Sequence, residues 1–199
     1  MRRSHYIQSI NHRDVDFLNS MRCGGVCTKQ QALRFISGNR LKNYVLDKTI
    51  DKCFFLDKNG QRQEVYRVSD KGKDWIRTHI DSLADRKFYC SNGVEHDLKL
   101  MDKIISLTRE QRATMRCESE IRDDFRERLQ TLLDSRDYER YEQLYNSLQE
   151  HSVSMPDLCY GEDADTFYEV ITSNYGEVEV NSKIVAVAAI GGTLEMDRI

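Results

Sequence analysis

Two carboxylates frame the stretch of this chain best suited to chemistry. Asp157 follows the lone proline in Met155-Pro156-Asp157-Leu158, and Glu169 sits in the extended run Thr166-Phe167-Tyr168-Glu169-Val170-Ile171-Thr172. The acidic turn Glu162-Asp163-Ala164-Asp165 lies between them. An Asp beside one strand and a Glu on the next can hold a divalent metal, since Mg2+ accepts two carboxylate oxygens and completes its shell with water and substrate phosphate. Such an ion orients water and stabilises charge during phosphodiester hydrolysis. The competing reading is two solvated acids at strand ends.

Other chemistries find less support. Cys23 and Cys27 are four residues apart, but no second Cys or His pair follows at finger spacing, so a zinc site is not expected. No apolar leader precedes the six cysteines, and reduced thiols in a cytoplasm are the expectation. Among His5, His12, His79, His96 and His151 only His96, flanked by Glu95 and Asp97, is worth singling out; orienting its helix against a sheet is as good an account of it as catalysis. Gly24-Gly25 and Gly191-Gly192 lack the lysine and spacing of a phosphate loop.

The charge is unevenly distributed. Over 199 residues the net charge is -3, yet residues 1–80 hold 16 Lys+Arg against 8 Asp+Glu, a balance of +8, leaving −11 for the remainder. A basic module fused to an acidic one points to a polyanion-binding half. With 39% hydrophobic and 32% charged residues and no apolar run near ~18 residues, membrane-spanning and fibrous classes are excluded.

Positioning these groups requires recognisable elements. Asp14 reads as the cap of a first helix with Val15, Phe17, Leu18 and Met21 on one stripe; Thr28 caps a second, carrying Ala32, Leu33, Phe35 and Ile36. Ser37-Gly38-Asn39 ends that helix, and a third spans Arg40 to Lys48. Cys53–Leu56 and Glu64–Val68 flank Asp57-Lys58-Asn59-Gly60 as a hairpin, and Ser69 caps a fourth helix through Ile80. Beyond it come a helix with Val94, Leu98, Met101, Ile104 and Ile105 in periodic array, a short strand at 113–118, a helical pair over 120–149 bent near Asp134-Ser135, and a helix from Val178 to Ile190.

Three short helices, a hairpin and a closing helix resemble the winged helix-turn-helix of bacterial DNA-binding proteins, and Tyr66-Arg67-Val68-Ser69-Asp70-Lys71-Gly72 looks like the end of the wing. The resemblance implies a third helix in the major groove and a hairpin on a flanking groove or phosphate. Arg40, Lys42, Asn43, Lys48, Lys58, Arg62 and Arg67 then become the DNA-binding residues. Pro156-Asp157 and Glu169 resemble the PD-(D/E)XK nuclease motif, with an extra acid from Glu95 or Asp97. Ile171 stands where that motif has lysine, and Lys183 is the replacement that the resemblance allows. Winged helix, Val94-Glu95-His96-Asp97-Leu98, Arg116–Arg122, Pro156-Asp157, Tyr168-Glu169-Val170 and Lys183 together resemble the replication-relaxation family of plasmid and mobile-element proteins.

The expected fold class is α+β, an N-terminal winged helix-turn-helix (1–82) followed by an α/β restriction-endonuclease-like domain (88–199) with a helical insertion at about 120–150. The expected function is double-stranded DNA binding for a plasmid or phage, in replication, topology control or regulation, with an inactive nuclease-like domain. The alternatives are an Mg2+-dependent endonuclease or nickase, with Asp157, Glu169 and Lys183 catalytic and Asp157, Glu169 and Glu95 on the metal, and an anti-CRISPR-like inhibitor of a host nuclease. A host or element-encoded protein partner and a homodimer are compatible with the acidic half; a membrane is not expected, and the expected location is cytoplasmic.

Overall fold

The computed structural model describes residues 6–57, 59–89, 93–149, 155–161, 165–173 and 175–199. It is an α+β chain, with nine α-helices and two small sheets among the described residues. It divides into two compact units, Met1–Ala113 and Thr114–Ile199.

In the first unit, α1 (His12–Gly24) starts one turn earlier than the Asp14 cap implied. Asn11 is the N-cap, and Asp14 returns its carboxylate to the Asn11 N–H at 2.8 Å, closing a capping box. Phe17, Leu18 and Met21 are buried as expected. Gly25, at φ 75, turns the chain into β1 (Val26–Thr28). Thr28 caps only the short α2 (Lys29–Ala32), which leaves Leu33 exposed. Ser37, expected to end that helix, instead caps α3 (Gly38–Leu46) through its hydroxyl. Leu41 and Tyr44 of α3 face inward, Tyr44 meeting Phe17 and Trp75 at ring-centroid distances of 6.3 and 6.2 Å.

The hairpin pairs β2 (Ile50–Leu56) with β3 (Arg62–Val68) over seven residues, longer than predicted. At its turn the Asp57 side chain accepts from the N–H groups of Asn59 and Gln61. β1 joins the other side of β3, giving an antiparallel sheet in the order β1-β3-β2. Ser69 caps α4 (Asp70–His79) as expected. Gly72 is required there: a Cβ would lie 2.0 Å from the Thr49 carbonyl oxygen.

The first unit continues past residue 82. α5 (Val94–Ser106) buries Leu100, Met101 and Ile104, and Gly24 of α1 packs directly on Met101 and Ile104. Gln31 donates to Leu98 O at 3.0 Å and to the Asp102 carboxylate at 2.7 Å. Arg112 of α6 (Arg109–Ala113) forms a two-point ion pair with Asp16 of α1, at 2.7 and 2.8 Å. A boundary at 82–88 would cut through these contacts. The charge step could not locate the true boundary because residues 81–113 hold equal numbers of acids and bases, so the first unit keeps its +8.

The second unit is built on a four-stranded sheet ordered β4-β5-β6-β7. β4 (Arg116–Cys117), β5 (Leu158–Tyr160) and β6 (Thr166–Ile171) run antiparallel in turn, and β7 (Thr193–Arg198) lies parallel to β6. The parallel step is spanned by α9 (Glu177–Ala189). Between β4 and β5, α7 (Glu118–Asp134) and α8 (Tyr138–Gln149) form the expected helical pair, with the break at Arg136, φ 60. Phe125, Leu144, Cys159, Phe167 and Val187 form its core, with Phe125 edge-on to Phe167.

Candidate functional site

Asp157, Glu169 and Lys183 converge. Asp157 immediately precedes β5, and the antiparallel register that pairs Leu158 with Tyr168 sets it opposite Glu169 when carried one step further. The Val170 N–H donates to Asp157 Oδ2 at 2.8 Å. Lys183 reaches the same point from α9, its ammonium donating to Glu169 Oε1 and, at 3.3 Å, to the Tyr175 hydroxyl. Tyr175 itself donates to Glu169 Oε1 at 2.6 Å.

The group is closed to solvent, with Asp157, Glu169 and Lys183 at 1%, 1% and 2% exposure. Burial and the nearby Asp157 push the Glu169 carboxyl up to about 7, against the pull of Lys183 and Tyr175. Glu169 Oε2 is buried without a hydrogen-bond partner. Such an orphaned acceptor beside a second carboxylate is what a divalent ion would use, but the rest of the donor set does not fit one. The Lys183 ammonium already sits on Glu169, and no group of three or more His, Cys, Asp or Glu suited to a metal occurs among the described residues. Glu95, expected as a third ligand, belongs to α5 in the first unit.

Tyr175 was missing from the sequence reading. Its only signal is its place in Tyr175-Gly176, just before α9. A second polar network was also missed: Arg116 bridges Asp124 and Asp165 and donates to Cys159 Sγ at 3.0 Å, while Arg128 joins Asp165 at 2.5 Å.

Of the basic residues assigned to DNA, Lys42 and Lys48 are exposed and Asn43 is half-buried. Arg62 is exposed and its guanidinium stacks 3.8 Å from the Phe54 ring centroid; Arg67 is exposed, 3.9 Å from Asp51. Lys58 lies outside the described residues. Arg40 is committed elsewhere. Its guanidinium grips the fully buried Asp14 through Nε and Nη2, both at 2.7 Å, and also donates to Ser9 O.

A groove of about 670 Å³ runs between α3 and the hairpin, lined by Lys29, Ser37, Gly38, Lys42, Lys52 and Tyr66 among others. Lys29 and Lys52 were not picked out in the sequence. The period-two alternation that places Lys52, Phe54 and Leu56 on one strand face was the available signal. Glu64, the acid on this groove, is ion-paired with Lys52 and accepts from the Tyr66 hydroxyl, and these contacts hold it below the usual carboxylate range.

His96 and Asp97 are buried within the first unit, with His96 Nδ1 3.3 Å from both the Tyr89 hydroxyl and Asp97 Oδ1. Cys23 and Cys27 are buried, and burial pushes the Cys27 thiol up to about 12. No helix among the described residues is long and apolar enough to cross a membrane. No family model, curated protein or solved structure matches the chain.

Proposed function

We propose that this protein binds double-stranded DNA through its first unit, in the replication, topology control or regulation of a plasmid or phage. The observation that carries the reading is the groove between α3 and the β2–β3 hairpin, where Lys29, Lys42 and Lys52 from three separate elements line one concave surface. Support also comes from the element order α1-β1-α2-α3-β2-β3 with sheet order β1-β3-β2, the arrangement expected of a winged helix-turn-helix. In that reading α3 enters the major groove with Lys42 and Asn43 toward the bases, and Lys52 and Arg62 engage phosphates, while Arg67 lies beside Asp51 on the opposite face of the hairpin. The +8 of this unit supplies long-range attraction.

The test is fluorescence anisotropy on labelled duplexes over a salt series. Phosphate contacts release counterions, so log affinity falls linearly with log salt, and Lys52→Ala and Arg62→Ala each flatten the slope by roughly 1. Absence of binding to every duplex at low salt overturns the reading.

For the second unit we infer a nuclease-like domain of PD-(D/E)XK type that has lost cleavage. The strand order and directions, with Asp157 ahead of β5, Glu169 on β6 and Lys183 on the following helix, support the likeness. Closure of the three side chains to solvent and the direct Lys183–Glu169 pair support the loss, since a phosphodiester has no access to them. The unpartnered Glu169 Oε2 favours the alternative, an Mg2+-dependent phosphodiesterase. Nicking of supercoiled plasmid with Mg2+ or Mn2+, abolished by Asp157→Ala, would decide for it.

A further inference from the structure

The face of the hairpin that looks toward α3 carries a feature that duplex binding does not use. Strand alternation and register put Lys52, Phe54 and Leu56 of β2 on one face with Arg62, Glu64 and Tyr66 of β3. Toward α3 this face is the polar wall of the groove. Toward the turn it becomes apolar and open, with Phe54 49% and Leu56 70% exposed. Neither side chain has been drawn into the core. Instead Phe54 is flanked by cations, Arg62 stacked at 3.8 Å and the Lys52 ammonium at 5.5 Å from the ring centroid.

We propose that Phe54, with Leu56 beside it, is a stacking platform for an unpaired DNA base, so that the hairpin reads a junction between duplex and single strand. The inference rests on the DNA-binding reading of the adjacent groove and goes beyond it. A nucleobase has an apolar face and is tethered to phosphates, and it matches an aromatic ring set among cations; aromatic and guanidinium groups together are the usual partners of unstacked bases. In intact duplex the base faces are hidden against their neighbours, and a phosphate-tracking hairpin has no use for an exposed phenyl ring. Charge selects the occupant: Lys29, Lys42, Lys52 and Arg62 lie on the groove or beside the ring, while the one acid on the same face, Glu64, is already paired. The polyanion held by the groove therefore continues onto the platform. Leu56, next to the ring, supplies the apolar edge against which the displaced base or the last base pair rests.

The experiment compares three labelled DNAs of equal length at one salt concentration: a blunt duplex, the same duplex ending in a single-stranded fork, and the same duplex with an internal three-nucleotide bulge. Each is titrated with wild type, Phe54→Ala and Phe54→Trp. Stacking of one base predicts that wild type prefers fork and bulge over blunt duplex by about 5- to 150-fold. Phe54→Ala brings all three to the blunt-duplex value, leaving blunt affinity unchanged, and Phe54→Trp keeps the preference. Because Phe54 is half exposed, circular dichroism of Phe54→Ala should overlay on wild type. Equal wild-type affinity for the three DNAs, or a preference that survives Phe54→Ala, overturns the platform and leaves duplex binding standing. No binding to any of the three overturns both.

Discussion

Replacing Lys183 with methionine tests the buried cluster most directly. The substitution keeps the apolar stem in its cavity and removes the ammonium that holds Glu169 Oε1. In the native protein the Glu169 carboxyl titrates near 7, against 4.5 without its surroundings. Without the ammonium, burial and Asp157 act on Glu169 unopposed by Lys183, and its carboxyl keeps its proton to still higher pH. Below pH 7 both proteins hold that proton, so the substitution costs only the lost hydrogen bonds, about 1–2 kcal/mol. Above pH 7 the native carboxylate ionises and the variant's does not, and each further pH unit adds about 1.4 kcal/mol to the difference. Between pH 6 and pH 9 the penalty therefore grows by about 3 kcal/mol, of the order expected for a buried ion stripped of its partner. Urea unfolding followed by far-ultraviolet circular dichroism at pH 6, 7.5 and 9 measures it. Lys183→Met/Glu169→Gln has no carboxyl left to strand, so its penalty should stay level between pH 7.5 and pH 9, where the native carboxylate is already ionised. A Lys183→Met penalty that is flat across this range, or a double variant with the same pH dependence, refutes the reasoning.

The same carboxyl predicts how wild type responds to acid. Its folded value is raised, so the folded state keeps a proton that the unfolded chain releases above pH 4.5; this contribution is fully present below 4.5 and falls away by about 3 kcal/mol as pH rises to 7. Glu169→Gln should flatten that limb of a melting-temperature profile. Arg40→Ala strands the buried Asp14 and should cost about 3 kcal/mol in urea unfolding at pH 7, while duplex affinity measured on the folded protein stays within twofold of wild type. Gly72→Ala forces a Cβ against the Thr49 carbonyl and should cost about 3 kcal/mol, whereas Lys71→Ala beside it, exposed on the same turn, should change stability by less than about 0.5 kcal/mol.

Much of the local structure was legible because its causes are local. Thr28 and Ser69 announced their helices, and Ser37 announced a boundary although it starts a helix rather than ending one. Alternating β-formers about Asn59-Gly60 announced the hairpin, and the Asp134-Ser135 bend separates α7 from α8. β1 is too short to show a period. β7, Thr-Leu-Glu-Met-Asp-Arg, is polar and largely exposed and is a strand only because β6 offers it a parallel edge. Neither carries a signal of its own.

The sequence alone determined the α+β class, the uneven charge, and the residues Asp157, Glu169 and Lys183 as a set worth testing, since residue type and spacing along the chain are enough for these. Tertiary structure decided what the charges do. Arg40 reads as one more DNA-facing cation until the fold brings Asp14, 26 positions away, against it and buries the carboxylate. Glu169 reads as a solvated acid or a metal ligand until Lys183 and Tyr175 arrive from beyond its own strand and exclude water. Burial and pairing are set by residues distant in sequence, and they govern whether a charged side chain faces a partner, a ligand or solvent.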